Sequence, residues 1–175
     1  MDFAMRTLRL FVRIMDKLSE WIGLLTSVLL PAMVTVLTYE IVSRYVFAKP
    51  TVWAFDTAIF MFGYCGLLSG AYILREKEHI NVDVFYNRLS PRKRAILDSI
   101  TSFLLFFFII LVIIYGWKSA ISSIVMGEHT RTEWAAPVGH FKLMLPIGGL
   151  LLFLQGIANW IRSIYRAVTD KEFNA

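Results

Sequence analysis

The sequence predicts an all-α, polytopic membrane protein: four transmembrane helices, both termini cytoplasmic, and a short amphipathic helix at the N-terminus. Three observations predict it. The 175 residues are 57% apolar and 18% charged, with a mean hydropathy of +0.61, where soluble domains sit nearer 45–50% and about 25%. Four windows of 18 or 19 residues carry no charge: Glu20 to Glu40, Asp56 to Arg75, Asp98 to Lys118, and Lys142 to Arg162. All 18 basic and 13 acidic residues lie outside them. At about 1.5 Å per residue, each window makes a helix of roughly 28 Å, the thickness of a bilayer's hydrocarbon core. The basic residues are also unevenly placed. Thirteen lie in the N-terminal tail (Arg6, Arg9, Arg13, Lys17), the central link (Arg75, Lys77, Arg88, Arg92, Lys93, Arg94) and the C-terminal tail (Arg162, Arg166, Lys171). Five lie in the other two links (Arg44, Lys49, Lys118, Arg131, Lys142). The excess faces the cytoplasm.

The chain therefore reads as one membrane domain, residues 1–175, with spans near 21–41, 54–74, 97–117 and 142–161. A cytoplasmic link covers 75–94, and outer links cover 42–53 and 118–141. Ahead of the first span, Leu8, Phe11, Met15 and Leu18 fall on one side of a helix, and Arg6, Arg9, Arg13, Asp16 and Lys17 on the other. That pattern fits a helix lying on the membrane surface or an extension of the first span. The apolar run from Trp21 to Tyr39 is longer than a signal-peptide core and no small-x-small site follows it, so it reads as a retained span. Trp21 and Trp160 mark the cytoplasmic edges and Trp53 and Trp117 the outer ones. The second span carries Gly63, Gly66 and Gly70, and Gly66-x-x-x-Gly70 permits close helix approach, within the chain or to a partner. Ser90 followed by Pro91 reads as a cap and first helical residue for the third helix. That helix runs from Phe103 to Tyr115 with no polar side-chain atom except the tyrosine hydroxyl. Pro31 and Pro146 interrupt the first and fourth spans.

Several functions are excluded. No room remains for a soluble catalytic domain, and no catalytic residue, cofactor or metal site is assigned. The single Cys65 cannot form a disulfide framework or a dithiol redox pair. The net charge of +5 belongs to residues beside spans, where it sets topology and meets anionic head groups, so no nucleic-acid partner is expected. No Asp, Glu, Lys, Arg or His lies in the middle of a span, so neither a proton relay nor a bis-histidine haem has its groups. Charged motifs sit at the edges. Glu40 and Arg44 form an acid-first i,i+4 pair at the outer end of the first span, and Asp56 at the start of the second is placed to share Arg44. The three either clip the outer hairpin or dock another subunit. In the central link, Glu78, His79 and Asp83 lack a fourth metal ligand and have basic neighbours, so they read as a solvated turn.

Two segments resemble the small membrane subunit (DctQ-type) of tripartite ATP-independent periplasmic (TRAP) transporters. One is Glu40-Ile41-Val42-Ser43-Arg44-Tyr45-Val46-Phe47 followed by Pro50 and Trp53; the other is Gly70-Ala71-Tyr72, Leu74-Arg75-Glu76 and Glu78-His79-Ile80-Asn81-Val82-Asp83. Asp56 stands where the family more often has glutamate. The resemblance covers nearly the whole chain and implies a bacterial inner-membrane protein whose outer links are periplasmic. It further implies a non-catalytic role in uptake of organic acids of the carboxylate or sulfonate class. A periplasmic binding protein would capture the substrate and a large membrane subunit would move it by sodium-coupled symport. The small subunit would scaffold the large one and help dock the binding protein, with membrane lipids as its other contacts. The alternative is a stand-alone four-helix carrier or exporter acting as a homodimer; a redox subunit has less support.

Overall fold

A computed structural model describes residues 2–76 and 91–169, with side chains described for 5–76 and 100–165. Four helices make up the described residues: α1 (Asp2–Tyr45), α2 (Ala54–Arg75), α3 (Pro91–Val125) and α4 (Gly139–Thr169). Each is long and apolar enough to cross a membrane, and no strand occurs among the described residues beyond one isolated bridge between His129 and Pro137. The protein is thus a multi-pass membrane protein, with four helices among its described residues.

The two possibilities for residues 3–19 resolve into one. The amphipathic stretch is not a separate element but the first turns of α1, which continues without a break for 44 residues. The reason is local: Lys17 to Ile22 contain neither glycine nor proline, so nothing ends the helix at the span boundary. Pro31 removes one backbone donor yet α1 runs through it, and the Thr35 hydroxyl donates to the Pro31 carbonyl at 2.9 Å. The helix ends at Tyr45, where Val46 N donates to Val42 O (2.9 Å) and Lys49 N to Ser43 O (2.9 Å). Ala48 supplies the reversal with φ of 52°. Then α2 opens with Asp56 in its first turn and closes on Arg75 in its last, charges that complement the helix dipole at each end. Pro91 is helical, the first described residue of α3, and the expected cap Ser90 lies outside the described residues.

The centre of the arrangement is α4, which touches all three other helices. Its small residues explain why. Gly148, Gly149, Gly156 and Ala158 are buried, and a Cβ on Gly148 would lie 2.5 Å from the Leu67 carbonyl oxygen of α2. Gly149 and Gly156 give the same close approach toward Ile113 and Phe106 of α3. On α2, Gly63 receives the Phe141 ring and Gly70 faces Leu152, both from α4. Gly66 has no atom within 4 Å of where its Cβ would be, so the Gly66-x-x-x-Gly70 pair does not form a seam within this chain. Gly63 and Gly70 stand two turns apart on the α4 side, and Gly66 is turned roughly 50° away. Meanwhile α3 packs chiefly on α4 and presents Phe103, Leu104, Phe107 and Phe108 outward, as expected of a lipid-facing helix.

Candidate functional site

The helices share two ends. At the hairpin end lie the α1–α2 turn and the α3–α4 link; at the tail end lie residues 5–20, the end of α2 and the end of α4. Polar side chains gather at both ends and form two clasps.

At the hairpin end, Glu40 is buried at 7% exposure, its carboxylate sharing contacts from two directions. From one helical turn on, Arg44 donates through Nε at 2.9 Å and through Nη2 to the same oxygen. From across the turn, Thr51 donates both its backbone N–H, at 2.9 Å, and its hydroxyl to the other oxygen. Pro50, immediately before Thr51, fixes the backbone that presents that N–H. Beside it the Trp53 ring stacks on Tyr39 with centroids 6.1 Å apart. Glu40, Arg44, Pro50 and Trp53 therefore come together, and Glu40 closes the α1–α2 turn.

Asp56 does not share Arg44. Its carboxylate, 3% exposed, accepts hydrogen bonds from the hydroxyls of Thr130 (3.0 Å) and Thr132 in the α3–α4 link. Thr130 is itself tied to the link backbone, with Ala136 N donating to its hydroxyl at 2.9 Å and Thr130 N donating to Ala136 O at 2.8 Å. Arg44 is engaged by Glu40 on its own helix, while the α3–α4 link reaches back over α2 and brings the two threonines to Asp56. The tip so held exposes Arg131, Glu133 and Trp134. At its base Lys142 Nζ donates to Glu128 at 2.5 Å, and this ammonium holds the Glu128 carboxyl below the ordinary glutamate range.

The clasp at the tail end joins three helices. Gln155 of α4, 1% exposed, accepts from the Ser19 hydroxyl (2.8 Å) and donates to Asp16 (3.1 Å), both on α1. Arg162 pairs with Asp16 and donates to Asn159 at 3.1 Å, and Asn159 donates to the Leu74 carbonyl of α2 at 2.7 Å. Arg75 reaches Glu20 at 3.3 Å and Glu76 at 3.6 Å. Of the central-link motif, Arg75 thus ties α2 to α1 while Glu76 pairs with Arg75 at the end of α2; Glu78, His79 and Asp83 lie outside the described residues. Sequence reasoning treated Asp16 and Arg162 as surface and topology charges and missed this clasp. The signal was there: Gln155, Asn159 and Arg162 are spaced four and three apart, one face of a helix.

These arrangements fasten helices. Among the described residues, the buried side chains of Glu40, Asp56, Ser19 and Gln155 bond to other parts of the same chain and so hold its helices and links together.

The sequence pattern of one family, described as tripartite ATP-independent periplasmic transporters, DctQ component, matches residues 33–166. That stretch contains the whole hairpin-end clasp and the α4 side of the tail-end clasp as far as Arg162. The sialic acid TRAP transporter permease protein SiaT of Haemophilus influenzae is 30% identical over 108 residues, 62% of this chain and only 17% of that protein. The sialic acid TRAP transporter small permease protein SiaQ of Vibrio cholerae is 24% identical over 174 residues, 94% of this chain and 99% of that protein. The C4-dicarboxylate TRAP transporter small permease protein DctQ of the same organism is 29% identical over 85 residues, 48% of this chain and 37% of that protein.

Proposed function

Because this chain belongs to the DctQ-component family of tripartite ATP-independent periplasmic transporters, we propose that it serves as the non-catalytic small subunit of an uptake system in a bacterial inner membrane. It braces a large membrane subunit that imports an organic acid of the carboxylate or sulfonate class with sodium, and its periplasmic end helps dock the substrate-binding protein. The observation that carries this reading is the disposition of polar groups. The four charge-free windows hold no Asp, Glu, Lys, Arg or His at depth, and the buried Glu40, Asp56 and Gln155 hold helices and links together. A protein that bound and released an ion would need such groups available.

Two further points support it. The relatives are named for sialic acid and for C4-dicarboxylates, both organic acids. In SiaT the similar stretch occupies 17% of a much longer permease chain, as expected if a small subunit and a large one work in contact. The basic bias supports a cytoplasmic clasp of Asp16, Gln155 and Arg162 and a periplasmic one of Glu40 and Asp56.

The test is expression of the chain with a large TRAP membrane subunit encoded beside it. The chain should co-purify with that subunit, and in liposomes it should catalyse no uptake alone. Recovery alone, or uptake by the chain by itself, as in a homodimeric carrier, would overturn the reading.

A further inference from the structure

The tail end of α1 carries charge that the clasps leave unanswered. Arg6, Arg9, Arg13 and Lys17 are all exposed, and their spacing of three, four and four puts them in an arc of roughly 80° on one helix face. Between Arg6 and Trp21 the two acidic side chains point elsewhere: Asp16 is taken by Arg162 of α4 and Glu20 by Arg75 of α2. Among the described residues no carboxylate therefore balances the four cations. Directly beside them runs a second exposed stripe, Leu10, Ile14, Leu18 and Trp21, which are 56%, 50%, 39% and 69% exposed. It continues into the span through Leu25 and Val28.

These two stripes fix how α1 meets the bilayer. The helix is continuous from Asp2 to Tyr45, so its first turns cannot fold over to lie flat. At about 1.5 Å per residue it is roughly 66 Å long, about twice the hydrocarbon thickness. An apolar stripe that starts at Leu10 rather than Trp21 lengthens the lipid-compatible face by about 16 Å, and a hydrophobic stretch longer than the bilayer is accommodated by tilt. With α1 oblique, the apolar stripe stays in the acyl region while the basic stripe passes through the head-group layer of the same leaflet, the long side chains snorkelling to it.

We propose that Arg6, Arg9, Arg13 and Lys17 form a binding site for anionic phospholipid head groups, which anchors α1 obliquely in the leaflet at the tail end. The occupant is a lipid because the cations share their face with an apolar stripe that a free anion would leave exposed. Its phosphate is read by charge: each cation near an anionic surface strengthens binding about fivefold.

The experiment uses the full chain, delipidated in a non-ionic detergent and titrated with phosphatidylglycerol or phosphatidylcholine. Retained lipid is counted by native mass spectrometry, alongside the melting temperature. The wild-type chain should retain phosphatidylglycerol in clear preference and be stabilised by it. R9Q/R13Q/K17Q should lose that preference by about a hundredfold while binding phosphatidylcholine as before, and R9K/R13K should keep it. Equal retention of both lipids by the wild-type chain would overturn the proposal, as would preference undiminished in the glutamine variant. So would displacement of the lipid by inorganic phosphate, which would make the stripe a simple anion site.

Discussion

Gly148→Ala tests the central claim of the packing, that α2 and α4 meet at backbone distance. The added Cβ would lie 2.5 Å from the Leu67 carbonyl oxygen and 3.1 Å from its carbon, where ordinary contact begins at 3.4 Å. The obstacle is backbone, so no side chain can rotate away; the helices must separate by about 1 Å at their crossing or α4 must turn. Overpacking of this kind costs about 1–3 kcal/mol. Alanine's better helix propensity returns up to about 1 kcal/mol, leaving a net loss of about 1–2 kcal/mol. For a chain of this size that is a melting temperature lowered by about 2–8 °C. Cys65, the single cysteine, sits on α2 two positions from Leu67 and is half-buried, so a thiol-reactive dye reports its exposure on melting. Gly66→Ala is the control: open space surrounds that position, and the variant should melt at or slightly above the wild-type temperature. If Gly148→Ala melts no lower than wild type, or Gly66→Ala falls as far, α4 is not seated on the backbone of α2 and the packing argued above is wrong.

Asp56→Ala removes the acceptor of the Thr130 and Thr132 hydroxyls and should free the tip they hold. The loss is about 1–3 kcal/mol of local stability, read as faster tryptic cleavage after Arg131; an unchanged cleavage rate would contradict the latch. Glu128 is held below the ordinary glutamate range by Lys142, so its support for the link is full above that range and is lost as pH falls through the lowered value. Resistance of the link to an acid-active protease should stay level from neutral pH down to the ordinary glutamate range and decline from there through the lowered value, and Glu128→Gln should flatten that decline. In a double-mutant cycle, Asp16→Asn and Arg162→Gln should show coupling of about 0.5–3 kcal/mol, whereas strictly additive effects would remove the tail-end clasp. Arg44→Ala should weaken assembly with the large subunit or uptake, with the binding protein's affinity for its ligand unchanged; altered ligand affinity would refute the division of labour.

How much of this was legible in the sequence depended on distance along the chain. The four spans could be read because charge at depth is excluded by lipid, and a charge-free window of 18 or 19 residues has no other common explanation. The helices run well past those windows, 44 residues for α1 and 35 for α3, because water does not end a helix and no breaker lies at the boundary. Glu40 with Arg44 was readable as an i,i+4 pair. Thr51, across a turn, was not, because a threonine hydroxyl leaves no sequence signature of its acceptor. Asp56 was assigned the nearest cation, yet its partners lie 74 and 76 residues away. Which face the glycines of α2 turn to the rest of the chain was unreadable for a related reason. A GxxxG pair marks a surface that can be approached closely, and only the neighbour's position tells whether anything approaches it: Leu67 meets Gly148, and nothing within the chain meets Gly66.

The tail-end clasp also sets an order of events during synthesis. Asp16 and Ser19 emerge from the ribosome early, and the residues that answer them, Gln155 and Arg162, emerge 136 to 146 residues later. Until the fourth helix enters the bilayer, the first carries a carboxylate, a hydroxyl and an apolar face with no partner, and the Leu74 carbonyl waits for Asn159. The last helix made is therefore the one that completes the first. A chain that stalls before Gly139 leaves these polar groups exposed at the membrane's edge, the kind of defect by which quality-control proteases tell an unfinished subunit from a finished one.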